Sequence, residues 1–168
     1  MNSTQKLIKT SDLVNSQVID EYFNRVDIIV RYMYIEFFFG ETHKVNPYEL
    51  YKKMCTKRLG KTEHADTEDK VMNFVMNYNS LIESVYQNGF YVNSKILLNN
   101  ENDKKLIDGS HRIAVAVYFG LNEIPVTYDS SNRLYKYGFD WFLENDFSDI
   151  ETSEIEECYK RFMGRVYS

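Results

Sequence analysis

The sequence predicts an α+β fold in which a small mixed sheet packs with helices. Apolar residues recur at helical spacing through most of the first half, and a strand, turn, helix and strand pattern occupies residues 95–128. The 168 residues correspond to one ordinary domain. We expect a helical N-terminal part, residues 1–65, packed on a core of residues 66–168 that ends in a helical segment.

The composition favours a folded chain and limits its partners. Hydrophobic residues make up 43% and aromatic residues 15% of the sequence, which can offset the entropy of ordering the chain. The 20 Lys and Arg face 25 Asp and Glu, and the net charge of -5 disfavours nucleic acid as a partner. A local basic pocket can still hold a small anion, because net charge describes the whole surface.

Cysteine usage and hydropathy point to a cytoplasmic protein. Cys55 and Cys158 are far apart and have no paired spacing, so neither a disulfide framework nor a zinc site is indicated, and we expect half-buried thiols. The apolar run over residues 28–39 is interrupted by Arg31 and Glu36. We therefore expect no membrane span.

The first half of the chain is predicted to be helical. Residues up to Asn15 are polar and are expected to fray. Apolar spacing predicts a helix over residues 18–26, and the nearly continuous apolar run 27–39 predicts a buried helix joined to it. Asn46 followed by Pro47 predicts a capped start for the next helix.

Caps and alternation predict the remaining elements. Gly60 ends the third helix, and Thr67 is placed to cap a long helix that Asn88 and Gly89 stop. The short apolar runs 95–98 and 105–107 flank a polar link and predict a hairpin. A helix and the strand 124–128 follow, and the chain closes with a helix.

For that last helix, the cap is predicted at Thr152 or Ser153. Its inner face is formed by Ile155, Tyr159 and Phe162, which recur at helical spacing.

The segment Asp108-Gly109-Ser110-His111-Arg112 carries the clearest chemical signal. It lies where a strand gives way to a helix, and the unpaired N–H groups of a helix start favour an anion. Gly109 permits a tight turn and a close approach of phosphate, Ser110 can donate a hydroxyl hydrogen bond, and Arg112 can bind phosphate oxygens in a bidentate manner.

Two residues of this segment have alternative roles. His111 can bind phosphate when protonated or hold a neighbouring group when neutral. Asp108 repels phosphate, so its presence suggests an Mg²⁺ ion or a hydroxyl proton to be accepted. The competing interpretation is structural: Asp-Gly is a common turn, and a five-residue motif without a second glycine is less specific than a Walker-type loop.

Residues 81–128, LIESVYQNGFYVNSKILLNNENDKKLIDGSHRIAVAVYFGLNEIPVTY, resemble the core of the ParB/sulfiredoxin superfamily. That core has a helix ending in an Asn-Gly or His-Gly turn, an Ile-containing strand, and a second strand that enters a Gly-x-His-Arg or Gly-x-Arg-Arg turn. An alanine-rich helix follows, then a glycine and an Ile-Pro-Val strand, as Gly120 and Ile124-Pro125-Val126 do here. The resemblance implies a ParB/sulfiredoxin-like fold.

The resemblance also implies that this turn holds nucleotide phosphates. The family's members use it for ATP in sulfiredoxins, CTP in ParB partition proteins, and ATP or ADP in free serine kinases. The Asp-Gly-x-His-Arg form is most similar to the serine kinase branch. Ser110 stands where sulfiredoxins need a cysteine, so sulfinic acid reduction is not expected, and no basic region similar to the helix-turn-helix of ParB is present.

In the serine kinase branch a Glu precedes the long helix, and Glu63 is the corresponding candidate for the general base. Arg58 and Lys61 are candidates to assist the phosphates, with solvent-facing positions as the alternative. Glu36 lies in an apolar run, so it is either buried with a partner or a task, or it faces outward from a helix. Short stretches, DIIVRYMYIE and NGFYVNS among them, also resemble ParB-like proteins of bacterial surface-polysaccharide loci.

The leading hypothesis is an ATP-dependent kinase that phosphorylates a hydroxyl of a small metabolite or sugar-like precursor. Gly109, Ser110, His111 and Arg112 bind the nucleotide phosphates, and Asp108 serves the Mg²⁺ or the nucleophile. The first alternative is a non-catalytic nucleotide-binding module that regulates or binds a partner protein. A ParB-like nuclease or DNA binder is the third hypothesis, which the acidic composition disfavours.

Overall fold

The computed structural model describes residues 5–60, 67–90, 96–130 and 132–168, and it confirms an α+β fold. Short strands precede and follow a run of three helices along the described part of the chain. The helices are α1 (Thr10–Asn15), α2 (Asp27–Phe38), α3 (Pro47–Arg58), α4 (Thr67–Asn88), α5 (Ser110–Tyr118), α6 (Phe139–Glu144) and α7 (Asp149–Val166). The strands are β1 (Lys6–Lys9), β2 (Val18–Ile19), β3 (Tyr22–Phe23), β4 (Ile96–Leu98), β5 (Leu106–Asp108) and β6 (Glu123–Tyr128).

The main sheet is mixed and has the strand order β1, β6, β4, β5. Strands β4 and β6 run parallel, whereas β1 with β6 and β4 with β5 run antiparallel. The predicted hairpin over β4 and β5 is confirmed, as is the strand over residues 124–128. Helix α5 crosses between β5 and β6, so the turn that precedes α5 lies at the end of an edge strand.

Residues 5–15 are not frayed, contrary to the prediction. They form β1 and α1, and β1 pairs with β6 so that Lys6 lies opposite Val126. The N–H of Thr10 donates to the carbonyl of Asn122 at 2.8 Å. The strand went unrecognised because an edge strand with one solvated face can be polar, and lysine is common there.

The helix predicted over residues 18–26 is also wrong. Residues 18–23 form the hairpin of β2 and β3, and its turn residues Asp20 and Glu21 have φ values of 51° and 70°. Two pairs of apolar residues separated by a two-residue turn also fit a helical repeat, so spacing alone does not distinguish them. The described residues of the N-terminal part, which was predicted to be helical, therefore include the strands β1, β2 and β3.

The outer edge of β5 is bound by side chains from the N-terminal part. The N–H of Leu106 donates to Oε1 of Gln17 at 3.1 Å, and the carbonyl of Leu106 accepts from Nη1 of Arg25 at 3.1 Å. Gln17 also donates from Nε2 to the carbonyl of Lys104 at 2.8 Å. These bonds attach the β2–β3 hairpin and the start of α2 to the sheet.

Helix α2 lies at the centre of the helical layer, and the buried helix predicted for residues 27–39 is confirmed. It packs against α3, α5 and α7, so its side chains from Asp27 to Glu36 are all buried. A helix enclosed on every side has no polar face, which explains why its apolar pattern lacks helical periodicity. Within the described residues, no helix combines the length and apolarity that a membrane span requires.

The predicted cap of α3 is confirmed, whereas that of α7 is wrong. Asn46 accepts hydrogen bonds from the N–H groups of Tyr48 and Glu49. Helix α7 begins at Asp149, and Ser148 and Glu151 form a reciprocal capping box. The Ser-x-x-Glu spacing at Ser148 and Glu151 indicates this capping box. The prediction was wrong because it placed the helix start next to the apolar face, which begins later in the sequence. The two cysteines expected to be half-buried are both buried.

Gly109 closes the contact between the start of α5 and β4. Its φ is +114°, and a Cβ atom added there would lie 3.1 Å from the Cα atom of Ile96. Both the backbone conformation and the space therefore favour glycine at this position.

We expect Gly109→Ala to destabilise the fold more than Gly40→Ala by about 1 to 3 kcal/mol, because only the former adds a backbone clash. Gly40 is the matched control, since its φ is +88° and nothing lies within 4 Å of its added Cβ. Urea unfolding of both variants measures the difference. Equal losses of stability would show that the contact with Ile96 is not restrictive.

Candidate anion-binding site

The predicted strand-to-helix corner is confirmed at residues 108–112. Asp108 ends β5, Gly109 is the N-cap in a left-handed conformation, and Ser110 begins α5. The N–H groups of the first helical turn have no carbonyl partner within the helix, and glycine has no side chain with which to cap them. A nine-residue helix therefore presents polar hydrogens and the positive end of its dipole at this corner.

A cavity of about 250 Å³ adjoins this corner. Its walls come from α2, α3, α4, the start of α5 and the segment before α6. The lining residues are Arg31, Cys55, Arg58, Leu59, Phe74, Asp108, Ser110, His111 and Tyr137. The helix start thus faces a cavity that already contains two arginines.

Those two arginines belong to a buried cluster around Asp27, the first residue of α2. Arg25 contacts both carboxylate oxygens, with Nε 2.9 Å from Oδ1 and Nη2 2.9 Å from Oδ2. Nη1 of Arg31 donates to Oδ2 at 2.9 Å and to the Asp27 carbonyl at 2.8 Å. Nη1 of Arg58 lies 3.9 Å from Oδ2. Three guanidinium groups therefore surround one carboxylate.

The cluster has an excess of positive charge. Burial raises the pKa of the Asp27 carboxyl group, but the three arginines lower it by more, so the net pKa lies well below its usual range. Asp27 is then ionised, and one negative charge faces three positive ones. The Nε atoms of Arg31 and Arg58 are buried and have no hydrogen-bond partner among the described residues. An anion in the cavity would supply the missing charge and the missing acceptors.

Of the two arginines that line this cavity, Arg58 is the more exposed. Its side chain is 26% exposed, compared with 2% for Arg31. The central carbon of the guanidinium lies 4.4 Å from the ring centre of Tyr137, within the range of a cation–π contact. Burial lowers the pKa of Arg58, but Asp27 and Tyr137 raise it by more, so the group remains charged.

His111 is held in an aromatic setting. Its Nε2 shares a 2.7 Å hydrogen bond with the Tyr51 hydroxyl, and its ring centre lies 4.5 Å from that of Tyr78. Burial, followed by the charges of Arg31 and Arg58, lowers the pKa of His111 well below its usual value. Of the two predicted roles, the geometry favours the neutral histidine that holds a neighbouring group.

A second cavity of about 340 Å³ lies on the other side of Asp108 and His111. Phe74, Asp108 and His111 line both cavities, so the two form one divided cleft. The second cavity is further lined by Asn77, Tyr78, Leu81, Gly109 and Arg112. Arg112, predicted beside Ser110 at the phosphate, therefore borders the neighbouring part of the cleft.

Of the residues predicted for the site, Arg58, Asp108, Ser110 and His111 line the first cavity, and Gly109 lines the second. Glu63 and Lys61 lie outside the described residues. For the predicted Mg²⁺ site, no group of three His, Cys, Asp or Glu side chains that could hold a metal occurs where side chains are described. Asp108 is the carboxylate at the boundary between the two cavities.

Sequence reasoning missed most of the arginine cluster. Arg58 was considered, but Arg25, Asp27 and Arg31 were not assigned to the site. Two cations and an acid within seven residues, at the start of an otherwise apolar run, were the available signal. Such charges are buried only when they are paired, so they indicate an ionic cluster.

Glu36, at the other end of α2, has the partners that a buried carboxylate requires. Arg161 binds it with Nε and Nη2, each at 3.0 Å, and Nε2 of His43 lies 3.0 Å from Oε1. Burial raises the pKa of Glu36, but Arg161 and His43 lower it by more. The side chain faces inward, and the pair joins α2 to α7.

No protein-family model, curated protein or solved structure matches this chain. The resemblance to the ParB/sulfiredoxin superfamily therefore stays a prediction.

We expect Asp27→Asn to lower the free energy of unfolding by about 3 to 5 kcal/mol, because it leaves the buried guanidinium groups of Arg25 and Arg31, and the partly exposed one of Arg58, without a counter-charge. Asp146→Asn is the control, since Asp146 pairs with Lys57 at the surface and exposed pairs contribute about 1 kcal/mol or less. Denaturant unfolding at pH 7 measures both. A loss no larger than that of the control would contradict the assigned role of Asp27.

The same variant should alter the dependence of stability on pH. The folded-state pKa of Asp27 is lowered, so its contribution is complete above the unfolded value of about 3.9 and declines as the pH falls below it. Asp27→Asn should therefore differ from the wild type most at neutral pH and least in acid.

Proposed function

We propose that this protein binds the phosphate groups of a nucleotide in the arginine-lined cavity. We further propose that it transfers a phosphoryl group from ATP to a hydroxyl of a small molecule in the cytoplasm. The observation that carries the proposal is the excess of positive charge in the Asp27 cluster beside the open start of α5. Helix amides and arginines are the groups that proteins use to bind phosphate oxygens.

The residues of the cavity have separable roles in this proposal. The Arg58 edge and the first-turn N–H groups of α5 bind phosphate oxygens, and the Ser110 hydroxyl adds a donor. Arg31 contributes positive charge to the cavity and not a direct contact through Nη1, because that atom already donates a hydrogen bond to Asp27. Phosphoryl transfer depends mainly on positioning and charge stabilisation, which are the contributions that these groups can make.

Asp108 is suited to be the carboxylate that such a reaction uses, either to accept the hydroxyl proton or to bind Mg²⁺. It ends β5 and lines the first cavity, so its carboxylate lies beside the proposed phosphate. A single carboxylate also fits Mg²⁺, which is commonly held by one or two carboxylates together with substrate phosphates. When bound, Mg²⁺ would neutralise phosphate charge.

The phosphoryl transfer requires no oxidant or reductant. The acceptor oxygen forms a bond to the terminal phosphorus of ATP, the bond from that phosphorus to the bridging oxygen breaks, and ADP leaves. The hydroxyl proton passes to a carboxylate. Asp108 is the candidate within the described cleft, and Glu63 remains the candidate that the serine kinase resemblance implies.

A nucleotide-binding module without catalysis is the second candidate. The observation that favours it is the single carboxylate, Asp108, among the described residues that line the first cavity. Incubation with ATP, Mg²⁺ and a panel of small hydroxyl compounds separates the two candidates. A kinase releases ADP only with a particular acceptor, whereas a binding module releases none with any.

We expect Arg58→Gln to raise the Kd for ATP about 10- to 100-fold, because hydrogen bonds to a charged group contribute about 1.5 to 3 kcal/mol. Lys57→Gln is the matched control, since Lys57 is the preceding residue on α3 and pairs with Asp146 at the surface. Titration calorimetry measures both affinities. An unchanged affinity for Arg58→Gln would contradict the proposed site.

We expect Asp108→Asn to reduce the rate of ADP formation about 100- to 10,000-fold, as the loss of a general base does. Asp108 is exposed at the end of β5, so the amide should not disturb folding, and nucleotide binding should be retained. Acceptor-dependent ADP release measures the effect. A rate within threefold of the wild type would exclude Asp108 from proton transfer.

A further inference from the structure

We infer that the second cavity binds the adenine base of the nucleotide, with Phe74 as the stacking surface and Asn77 as the residue that selects the base. This inference rests on the proposed function, since it assigns the other end of the same ligand. The two cavities share Phe74, Asp108 and His111, so a molecule with its phosphates in the first can extend into the second.

Phe74 has the position and exposure of a stacking platform. It lies on α4 at the boundary of both cavities, and 39% of its surface is exposed. Burying an exposed phenyl ring is favourable, because apolar surface is removed from water. A flat aromatic base can bury it and make stacking contacts with it. Base stacking on an aromatic side chain contributes measurably to affinity in many nucleotide-binding sites.

Asn77 supplies the polar recognition. It lies three residues after Phe74 on α4 and therefore on the same helix face. Its side chain is exposed in the cavity, and no partner of its amide occurs among the described residues. A carboxamide offers one acceptor and donors side by side, the pattern that pairs with the amino group and adjacent ring nitrogen of adenine.

The remaining walls suit an uncharged ring. Tyr78 and Leu81 form an apolar side, and the Tyr78 hydroxyl donates to the carbonyl of Arg31 at 2.9 Å, which fixes its ring. That ring also packs against His111 at the boundary. Arg31 and Arg58 line only the first cavity, whereas Asn77, Tyr78 and Leu81 line only the second, together with Arg112. The first cavity therefore suits the anionic end of the ligand, and the second offers aromatic and amide groups to its flat base.

The test compares ATP, GTP and inorganic triphosphate by titration calorimetry on the full chain. Triphosphate reports on the first cavity alone, whereas the base contributes only to ATP and GTP. The variants are Phe74→Ala, Phe74→Trp and Asn77→Ala, with Met76→Ala as the matched control. Met76 lies on α4 between the two residues, is 62% exposed, and lines neither cavity.

We expect wild-type protein to bind ATP more tightly than GTP or triphosphate. Phe74→Ala should raise the Kd for ATP about tenfold or more without changing the Kd for triphosphate. Phe74→Trp should restore the affinity for ATP. Asn77→Ala should reduce the preference for ATP over GTP. Met76→Ala should match the wild type.

Equal binding of ATP and triphosphate, with Phe74→Ala affecting neither, would overturn the inference while leaving the phosphate site intact. An acceptor molecule in the second cavity would give this result. If neither ATP nor triphosphate binds, the proposed function fails and the inference fails with it. If ATP binding weakens in Phe74→Ala and triphosphate weakens equally, the residue acts through the fold, which also overturns the inference.

Discussion

The arrangement of the helical layer and of the cleft depends on one buried carboxylate. Asp27 begins α2 and holds Arg25 and Arg31 at hydrogen-bond distance, with Arg58 slightly further away. Through Arg25 the same group reaches the sheet, and through Arg58 it reaches α3. Paired charges in a low-dielectric interior must be oriented well to be stable. The position of the cations beside α5 therefore follows from the position of Asp27.

Much of the fold could be predicted from local signals. The hairpin of β4 and β5, the cap at Asn46 and the glycine before α5 each have short-range causes, and all are confirmed. The failures have a common cause in tertiary contacts. Strand β1 exists because β6 offers it a partner, and β2 and β3 are too short for their apolar spacing to differ from that of a helix.

The candidate site was predictable only in part. The segment from Asp108 to Arg112 was recognisable because its chemistry lies in consecutive residues. The arginine cluster combines residues from the start of α2 and the end of α3, and no local pattern shows that α2 and α3 bring Arg31 and Arg58 to the same carboxylate. The division of the cleft likewise depends on Phe74, which α4 contributes from another part of the chain.

The side chains that bind the outer edge of β5 have a consequence for the behaviour of the protein at high concentration. An edge strand with free amide and carbonyl groups is a template on which another chain can add a strand. At Leu106 both groups are already occupied, by Gln17 and Arg25. The two side chains make the hydrogen bonds that a neighbouring strand would make, so this edge of the sheet disfavours edge-to-edge association. The same arginine that anchors the charged cluster thus also helps to keep individual molecules apart.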